Sequence, residues 1–374
     1  MIIPRQSAHL FRFSTLFLLS ALLAGCVGGP TPRGGVEKSI WVSRYEYKSR
    51  SDIDHIMRRC AAAGFKSVMF QVRGNGTVLY ASRFEVWSDQ FGFKAPLFDP
   101  LSYAVRAAHA NGLKLHAWVN VMTGWGGTGA PASKRQIFHT RPEWFLRTDR
   151  SELAKEGNYW FLNPCLREVR TYLTNICAEV VTGYPVDGLH LDYIRYPHGA
   201  VSERCPGDAR SRDLFVRQTH RSLSDVAAFR AWKAGAVTQL VRQIREMVNG
   251  LPRRVVLTVA VNSNLDRIKQ DVLQDWPRWA RSGLVDAVFP MNYTERDALF
   301  DQRSRACVAA AGRTPVVMGV GVYAHQRANR SSRATVRQMN AALRSGAAGV
   351  CLFSYTSALK GEWTSAVTAW NRRR

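Results

Sequence analysis

Acidic residues are scarce in this 374-residue chain: 28 Asp and Glu stand against 52 Lys and Arg, for a formal net charge of +24. So one-sided a surface favours anionic partners, though charge alone does not choose among nucleic acid, anionic lipid and acidic polymer. The zinc-finger, KH and RRM signatures that would point to nucleic acid are absent, and no nucleic-acid partner is expected. None of the seven cysteines stands in CxxC or CxxC…HxxxH spacing, so a structural zinc site is not expected, nor is any other metal or cofactor. No apolar run reaches the roughly 20 residues that a membrane-spanning helix needs. A second linker and internal low-complexity tracts are also missing, which argues for one folded domain of a length common among α/β barrels. Some of the arginines, Arg242 and Arg245 among them, read equally well as solvated helix faces.

What is present begins at the N-terminus. Arg5 and Arg12 precede an apolar run at 16–23, followed by the small residues Ala24 and Gly25 and then Cys26. That order reads as a signal peptide over 1–25. The tetrad Leu23-Ala24-Gly25-Cys26 resembles the bacterial lipobox, which implies cleavage before Cys26 and a lipid on its thiol; a soluble secreted protein cut nearby is the plainer alternative. No acidic residue follows Cys26 at 27 or 28, and by the same resemblance this favours the periplasmic face of the outer membrane. Residues 26–38, broken by glycine and proline and without periodicity, read as a tether, leaving 39–374 as the folded domain. Removing the leader takes away two arginines and no acid, so +24 becomes +22. An exported address weighs further against nucleic acid. Of the six remaining cysteines, Cys60, Cys177, Cys307 and Cys351 fall in expected helices or a strand and read as buried thiols. Cys165 and Cys205 lie in loops and are the pair best placed to bridge, although six cysteines allow 15 pairings. The chain is expected to be a monomer.

Beyond the tether, short β-branched or aromatic runs alternate with amphipathic stretches of helical length, the pattern of repeated βα units. Strands are expected at 40–44, 67–72, 113–120, 188–193, 255–261, 287–293, 316–323 and 349–355, and helices most clearly at 52–63, 100–110, 167–182, 227–248 and 332–343. Ser51 and Ser332 have N-cap character, and Gly64, Gly112, Gly183 and Gly346 stand where helices end. Eight strands suit a closed (β/α)8 barrel of the TIM type. Two connections, 123–163 after the third strand and 195–225 after the fourth, far exceed the usual two to six residues. Both leave the face where barrel enzymes build their sites. Trp125, Trp144, Tyr159 and Trp160 in the first loop suggest walls for an extended ligand, or simply packing of the loop onto the barrel.

The most informative run is Asp187-Gly188-Leu189-His190-Leu191-Asp192-Tyr193-Ile194-Arg195-Tyr196-Pro197. Side chains alternate along a strand, so Leu189 and Leu191 face the helices while His190 and Asp192 point into the barrel. A carboxylate there needs a reason, because an unpaired buried charge is expensive. Catalysis is one; a salt bridge to Arg195 or Arg73 is the other.

This run closely resembles the fourth-strand signature of the family 10 glycosyl hydrolase-like proteins. Phe70-Gln71-Val72-Arg73, Val86-Trp87-Ser88, Phe98-Asp99-Pro100-Leu101, His116-Ala117-Trp118-Val119-Asn120 and Tyr159-Trp160-Phe161-Leu162-Asn163-Pro164 resemble that family in the same order, and the likeness runs from Ser39 to Tyr355. It implies a barrel acting on bacterial polysaccharide, some members being lipoproteins that cut cell-wall glycan. A glycosidase usually needs two carboxyl groups flanking the scissile bond. Asp192 is the first. Chitinase-like barrels read Asp-Gly-x-Asp-x-Asp-x-Glu on this strand, with the Glu as acid. Here Ile194 takes the Glu place and His190 an Asp place, so the second acid must lie elsewhere. Glu295, just past the sixth strand, leads; Glu143, Glu85 and Asp89 compete. Substrate contacts are expected from Arg73, His116, Trp118, Asn120, His190, Tyr193, Arg195, Asn292, Tyr293 and Tyr355. The reading is a glycoside hydrolase of an envelope polysaccharide, peptidoglycan strands stripped of stem peptides above all. A barrel that binds such a polymer without cutting it is the alternative.

Overall fold

Each β-rich run forms one strand of a closed, all-parallel barrel in the computed structural model, which describes residues 35–374. The expected leader, the lipidated Cys26 and most of the tether lie outside the described residues. The strands are β1 (Glu37–Val42), β2 (Ser67–Arg73), β3 (Lys114–Asn120), β4 (Gly188–Asp192), β5 (Val256–Asn262), β6 (Ala287–Asn292), β7 (Val317–Gly321) and β8 (Gly349–Phe353). They pair in chain order, and β8 closes on β1. The expected (β/α)8 barrel is the observed fold, with every expected strand present and only its ends moved.

Alternation sorts the core into two. Outward residues such as Ile40, Phe70, Leu115, Leu189, Leu191 and Leu352 pack under the helices, while Trp41, Met69, Trp118, Phe289, Val317 and Cys351 fill the barrel interior. Helices α1 (Arg50–Ala62), α2 (Pro100–Ala110), α3 (Arg167–Gly183), α4 (Val226–Asn249), α5 (Asp297–Ala311), α6 (Ser332–Arg344) and α7 (Glu362–Arg372) lie outside the strands. The caps differ by a residue or two from expectation. Ser49, not Ser51, caps α1: its Oγ accepts from the Asp52 N–H at 3.1 Å and the Asp52 carboxylate accepts from the Ser49 N–H at 2.9 Å. That reciprocal box satisfies two donors at once and starts the helix earlier. Ser331 rather than Ser332 precedes α6. Gly64, Gly112 and Gly346 end helices at φ of 78°, 69° and 88°, but Gly183 is the last residue of α3 and extended Tyr184 follows it.

The two long connections are structured. Within 121–166, strands Thr123–Gly126, Lys155–Glu156 and Tyr159–Phe161 form a small antiparallel sheet. Within 193–225, the helix Ala209–Thr219 packs through buried Phe215. Cys165 and Cys205 do not bridge; all six described cysteines are free and buried. Cys165 Sγ instead lies 3.2 Å from the Tyr196 hydroxyl, and Lys233 Nζ donates to the carbonyls of Ser202 and Cys205 at 2.8 and 2.9 Å. Those polar contacts stand where the pair best placed to bridge could have formed a disulfide.

Candidate active site at the mouth of the barrel

Asp192 ends β4 with its side chain directed inward, at the level of Asn120 on β3. The next residue, Tyr193, takes φ of 48°, a left-handed conformation that an aromatic side chain rarely adopts and that costs about 1–3 kcal/mol. This turn folds the Tyr193 N–H back onto Asp192 Oδ1 at 2.6 Å, and the backbone is pinned by Val121 N–H donating to Asp192 O (2.7 Å) and Met122 N–H donating to Tyr193 O (3.2 Å). Asp192 is only 6% exposed. Burial pushes its carboxyl up to about 6, against the opposing pull of the Tyr193 N–H, Arg195 and Trp118. The Trp118 indole N–H is itself buried without a partner of normal geometry and faces this carboxyl.

Asp192 opens into a cavity of about 300 Å³ walled by Trp41, Gln71, Trp118, Asn120, Tyr159, Tyr193, Met291, Tyr293 and Phe353. Tyr293 stacks on Phe353 with ring centroids 5.3 Å apart, giving a flat apolar wall. Asn120 donates to Gly74 O at 3.1 Å and leaves its own Oδ1 unpaired. A second cavity of about 410 Å³ shares Arg44, Tyr45, Tyr159 and Tyr193 with the first and adds Asn75, Asp89, Gly126, Glu156 and Asn158. Together they make a groove over the barrel mouth, aromatic at one end and polar at the other. A larger cavity of about 700 Å³ beside the helix Trp276–Arg281 touches none of these residues. One inward carboxyl beside stacked rings makes the mouth, not the larger hollow, the candidate site.

Of the expected site residues, Asp192, Trp118, Asn120, Tyr193 and Tyr293 meet in this groove, and the others lie elsewhere for physical reasons. His190 is fully buried one layer below: it accepts from the Trp41 indole N–H at 3.0 Å, its Nδ1 lies 2.8 Å from Thr258 Oγ1, and burial holds its ring neutral. His116 lies at the level of Gly188, four residues before the rim, roughly 13 Å down at about 3.3 Å per residue. Burial pushes it down to about 4. Arg73 is wholly buried and grips Glu85 with two bonds of 2.8 and 2.6 Å, while Tyr172 donates to the same carboxylate at 2.8 Å. That pair takes both Arg73 and the competing acid Glu85 out of the groove. Asn292 points outward, because Phe289 and Met291 own the inward parity of β6, and it donates to Phe300 O at 2.8 Å. Tyr355 packs in the outer core beneath Arg59. Glu295 lines neither cavity; its carbonyl accepts from Arg330 at 2.7 Å. Glu143 is exposed on a short turn of helix. Arg195 sits at the edge of the groove, its ring-stacked guanidinium 4.8 Å from the Tyr193 centroid and bound to Glu156 at 2.8 and 3.0 Å. Burial opposes ionisation of Glu156, but His198 and Arg195 override it and hold its carboxyl well below the usual range.

Trp41, Gln71, Arg44, Tyr45, Met291 and Phe353 are groove residues that were not expected in the site from the sequence. Trp41, Gln71, Met291 and Phe353 stand on strands, and the alternation that picked out Asp192 on β4 applies to them. Arg44 and Tyr45 open the short helical turn Arg44–Glu46, one residue past the end of β1. Of the loop aromatics, only Tyr159 reaches the groove: Trp144 packs on Tyr172 at 5.2 Å, Trp160 on Phe138 at 5.9 Å, and Trp125 is 5% exposed in the core.

The chain is similar to glycosyl hydrolase DigH of Escherichia coli K12, 27% identical over 323 residues that cover 79% of this chain and 68% of that protein. It is also similar to glycosyl hydrolase YngK of Bacillus subtilis, 23% identical over 250 residues, 62% of this chain and 46% of the other. Among solved structures, α-L-fucosidase isoenzyme 2 of Paenibacillus thiaminolyticus superposes with a TM-score of 0.62 at 13% identity, over 90% of this chain and 49% of that one. This last likeness is one of fold. The family model for glycosyl hydrolase-like 10 matches residues 38–340, most of the barrel from β1 into α6, and the chain belongs to that family.

Proposed function

We propose that the protein is a glycoside hydrolase of a bacterial envelope polysaccharide, with Asp192 as a catalytic carboxyl. The observation that carries this is a buried carboxyl raised to about 6 at the C-terminal rim of the barrel, opening into an aromatic-walled cavity. At neutral pH such a group holds a proton part of the time and regains it readily, which suits donation to a glycosidic oxygen. The glycosidase pair then needs a second, ionised carboxyl. Glu156 is occupied by Arg195 and His198, which leaves Asp89, exposed on the rim of the adjoining cavity, as the partner in this reading. Stacked Tyr293 and Phe353 offer faces for sugar rings, and the groove's length favours a polymer over a short oligosaccharide.

The preferred polymer is peptidoglycan glycan stripped of its stem peptides, whose exposed carboxylates match the basic surface. The envelope address follows from the expected lipid on Cys26, which puts the barrel on the periplasmic face of the outer membrane. Cys26→Ser then moves the protein to the soluble periplasmic fraction, and a variant still in the membrane pellet rejects the anchor. A second reading, a barrel that binds the polymer without cleaving it, is favoured by one observation: no carboxyl other than Asp192 lines the inner cavity among the described residues. Product release from denuded strands, intact sacculi and chitin oligomers of matched length separates the two. Cleavage of denuded strands supports the hydrolase; tight binding with no new reducing ends supports the binding protein; equal rates on short chitin oligomers reject the substrate.

A further inference from the structure

Arg44 is a buried cation with no anion. It is 2% exposed, and Nη1 is buried with no hydrogen-bond partner. Among the described residues no carboxylate pairs with it; Nη2 donates only to the hydroxyls of Tyr45 and Tyr159. The Tyr45 ring centroid lies 4.4 Å from the guanidinium carbon and that of Tyr159 at 5.9 Å. Two neutral hydroxyls and two ring faces recover part of what a guanidinium loses on leaving water, but not what a carboxylate would return. Of the other buried arginines, Arg73 is gripped by Glu85 and Arg195 by Glu156, while Arg170 donates to the carbonyls of Pro164 and Cys165.

The position is also a built one. The Arg44 backbone N–H donates to Gln71 Oε1 at 3.0 Å, which fixes the root of the side chain. A Cβ on Gly74 would fall 1.9 Å from Arg44 Nη1, so the guanidinium occupies space that only glycine leaves open. Arg44 lines both cavities and therefore stands at their junction, between Asp192 in the inner one and Asp89 in the outer. Tyr45, whose hydroxyl accepts from Arg44, is 67% accessible.

We propose that Arg44 is a specificity residue that receives a carboxylate carried by a sugar of the substrate, in the subsite next to the one that holds the sugar over Asp192. This rests on the polysaccharide reading above. The carboxylate takes the place of the Tyr45 hydroxyl and meets the planar fork of the guanidinium, which a carboxylate fits with two parallel bonds. Asp89 and Glu156 face the same space; Glu156 is neutralised by Arg195 and His198, and exposed Asp89 leaves the inner wall to Arg44. Two sources carry the chemistry, the lactyl ether of muramic acid and the C5 carboxyl of a uronic acid.

The test measures binding by calorimetry in the Asp192→Asn background, so that it does not depend on turnover, using two pairs of oligosaccharides of equal length. These are denuded muramyl strands, glucuronate-containing chains, and the carboxyl-reduced form of each. The expected result is that one carboxylated chain binds at least tenfold tighter than its reduced form, and which one does identifies the source. Arg44→Gln removes that ratio, Arg44→Lys restores part of it, and Gly74→Ala, which displaces the guanidinium without removing it, lowers it as well. Equal loss on carboxylated and reduced chains, or no preference by the parent protein, overturns the assignment. If no chain binds at all, the polysaccharide reading itself fails, an outcome distinct from binding without preference. Thermal melting of each variant confirms that it is folded, and if Arg44→Gln is not, the Gly74→Ala and Arg44→Lys ratios decide.

Discussion

The two ends of the barrel interior are built by one rule and do different things. At the lower end, His116 on β3 points inward at the level of Gly188; at the upper end, Asn120 and Asp192 point inward on the same two strands. Both layers hold buried titratable groups, and burial pushes each toward its neutral form, His116 down to about 4 and Asp192 up to about 6. The difference is access. The His116 ring is packed so closely on Gly188 that a Cβ there would lie 2.4 Å from its Nδ1, whereas Asp192 opens into a cavity of about 300 Å³. Inward parity therefore finds polar residues, and depth along the strand decides which of them can meet a ligand.

The largest expected effect breaks the comparison at its upper end. Asp192→Asn keeps shape but can neither hold nor deliver a proton, so cleavage of denuded strands falls by about a thousandfold or more, at the upper part of what a positioned acid or base contributes. Circular dichroism and melting should show a folded variant. Near-normal turnover would make Asp192 structural and shift weight to the binding reading.

A second group of buried charges sharpens the contrast between gripping and reacting. Arg73 and Glu85 are 0% and 1% exposed at the side chain and paired at 2.6 Å, so Glu85→Ala strands a guanidinium in the interior. The expected cost is about 3–5 kcal/mol of stability. Denaturant unfolding measures it; a loss under 1 kcal/mol would mean that water or another acceptor takes over. Turnover per folded molecule should change far less than in Asp192→Asn, since the pair lies outside the groove.

Much of this arrangement was legible in the sequence, and the rest was hidden for identifiable reasons. Eight runs gave eight strands because β-branched density and loop breaks are local signals. The parity of Leu189, His190, Leu191 and Asp192 was readable because the strand is short and clean. Parity also placed Asn292 outward once Phe289 and Met291 were counted inward, and reading the residue types without the count put it in the site. The fates of Arg73 and Arg195 were not readable: their partners Glu85 and Glu156 sit on long loops whose return path depends on packing far away in the chain. Arg44 and Tyr45 could have been found by asking of β1 what was asked of β4, namely which side chains leave its C-terminal end.

The lower end offers a smaller effect. Gly188→Ala places a methyl against the His116 ring, and the closely packed interior can yield only by shifting the imidazole or the strand. Overpacking of this kind costs about 1–3 kcal/mol. Activity should follow the folded fraction, because the clash lies two inward layers below Asp192. A selective loss of turnover in fully folded protein would show that the two ends are coupled through β4.

The pH dependence of stability opposes the two ends directly. Asp192 has its folded value raised from 3.8 to about 6, so between those values the folded state holds a proton that the unfolded chain releases, and stability falls as pH rises through this window. His116 has its folded value lowered from 6.5 to about 4, so between those values the unfolded chain binds the extra proton, and stability is lost as pH falls through nearly the same window. His190 beneath the cavity floor acts in the same sense as His116. The contributions partly cancel in the parent protein, and removing one exposes the other. Asp192→Asn should therefore equal the parent protein near pH 4, where the carboxyl is protonated in the fold, and exceed it near pH 7 by about 2–3 kcal/mol, the equivalent of a rise of about two pH units. His116→Gln should do the reverse, gaining on the parent as the solution becomes more acid. Urea unfolding of the three proteins at pH 4, 5, 6 and 7 gives the differences; a gap between Asp192→Asn and parent that stays constant over that range would mean that the Asp192 carboxyl is not held in its protonated form by burial.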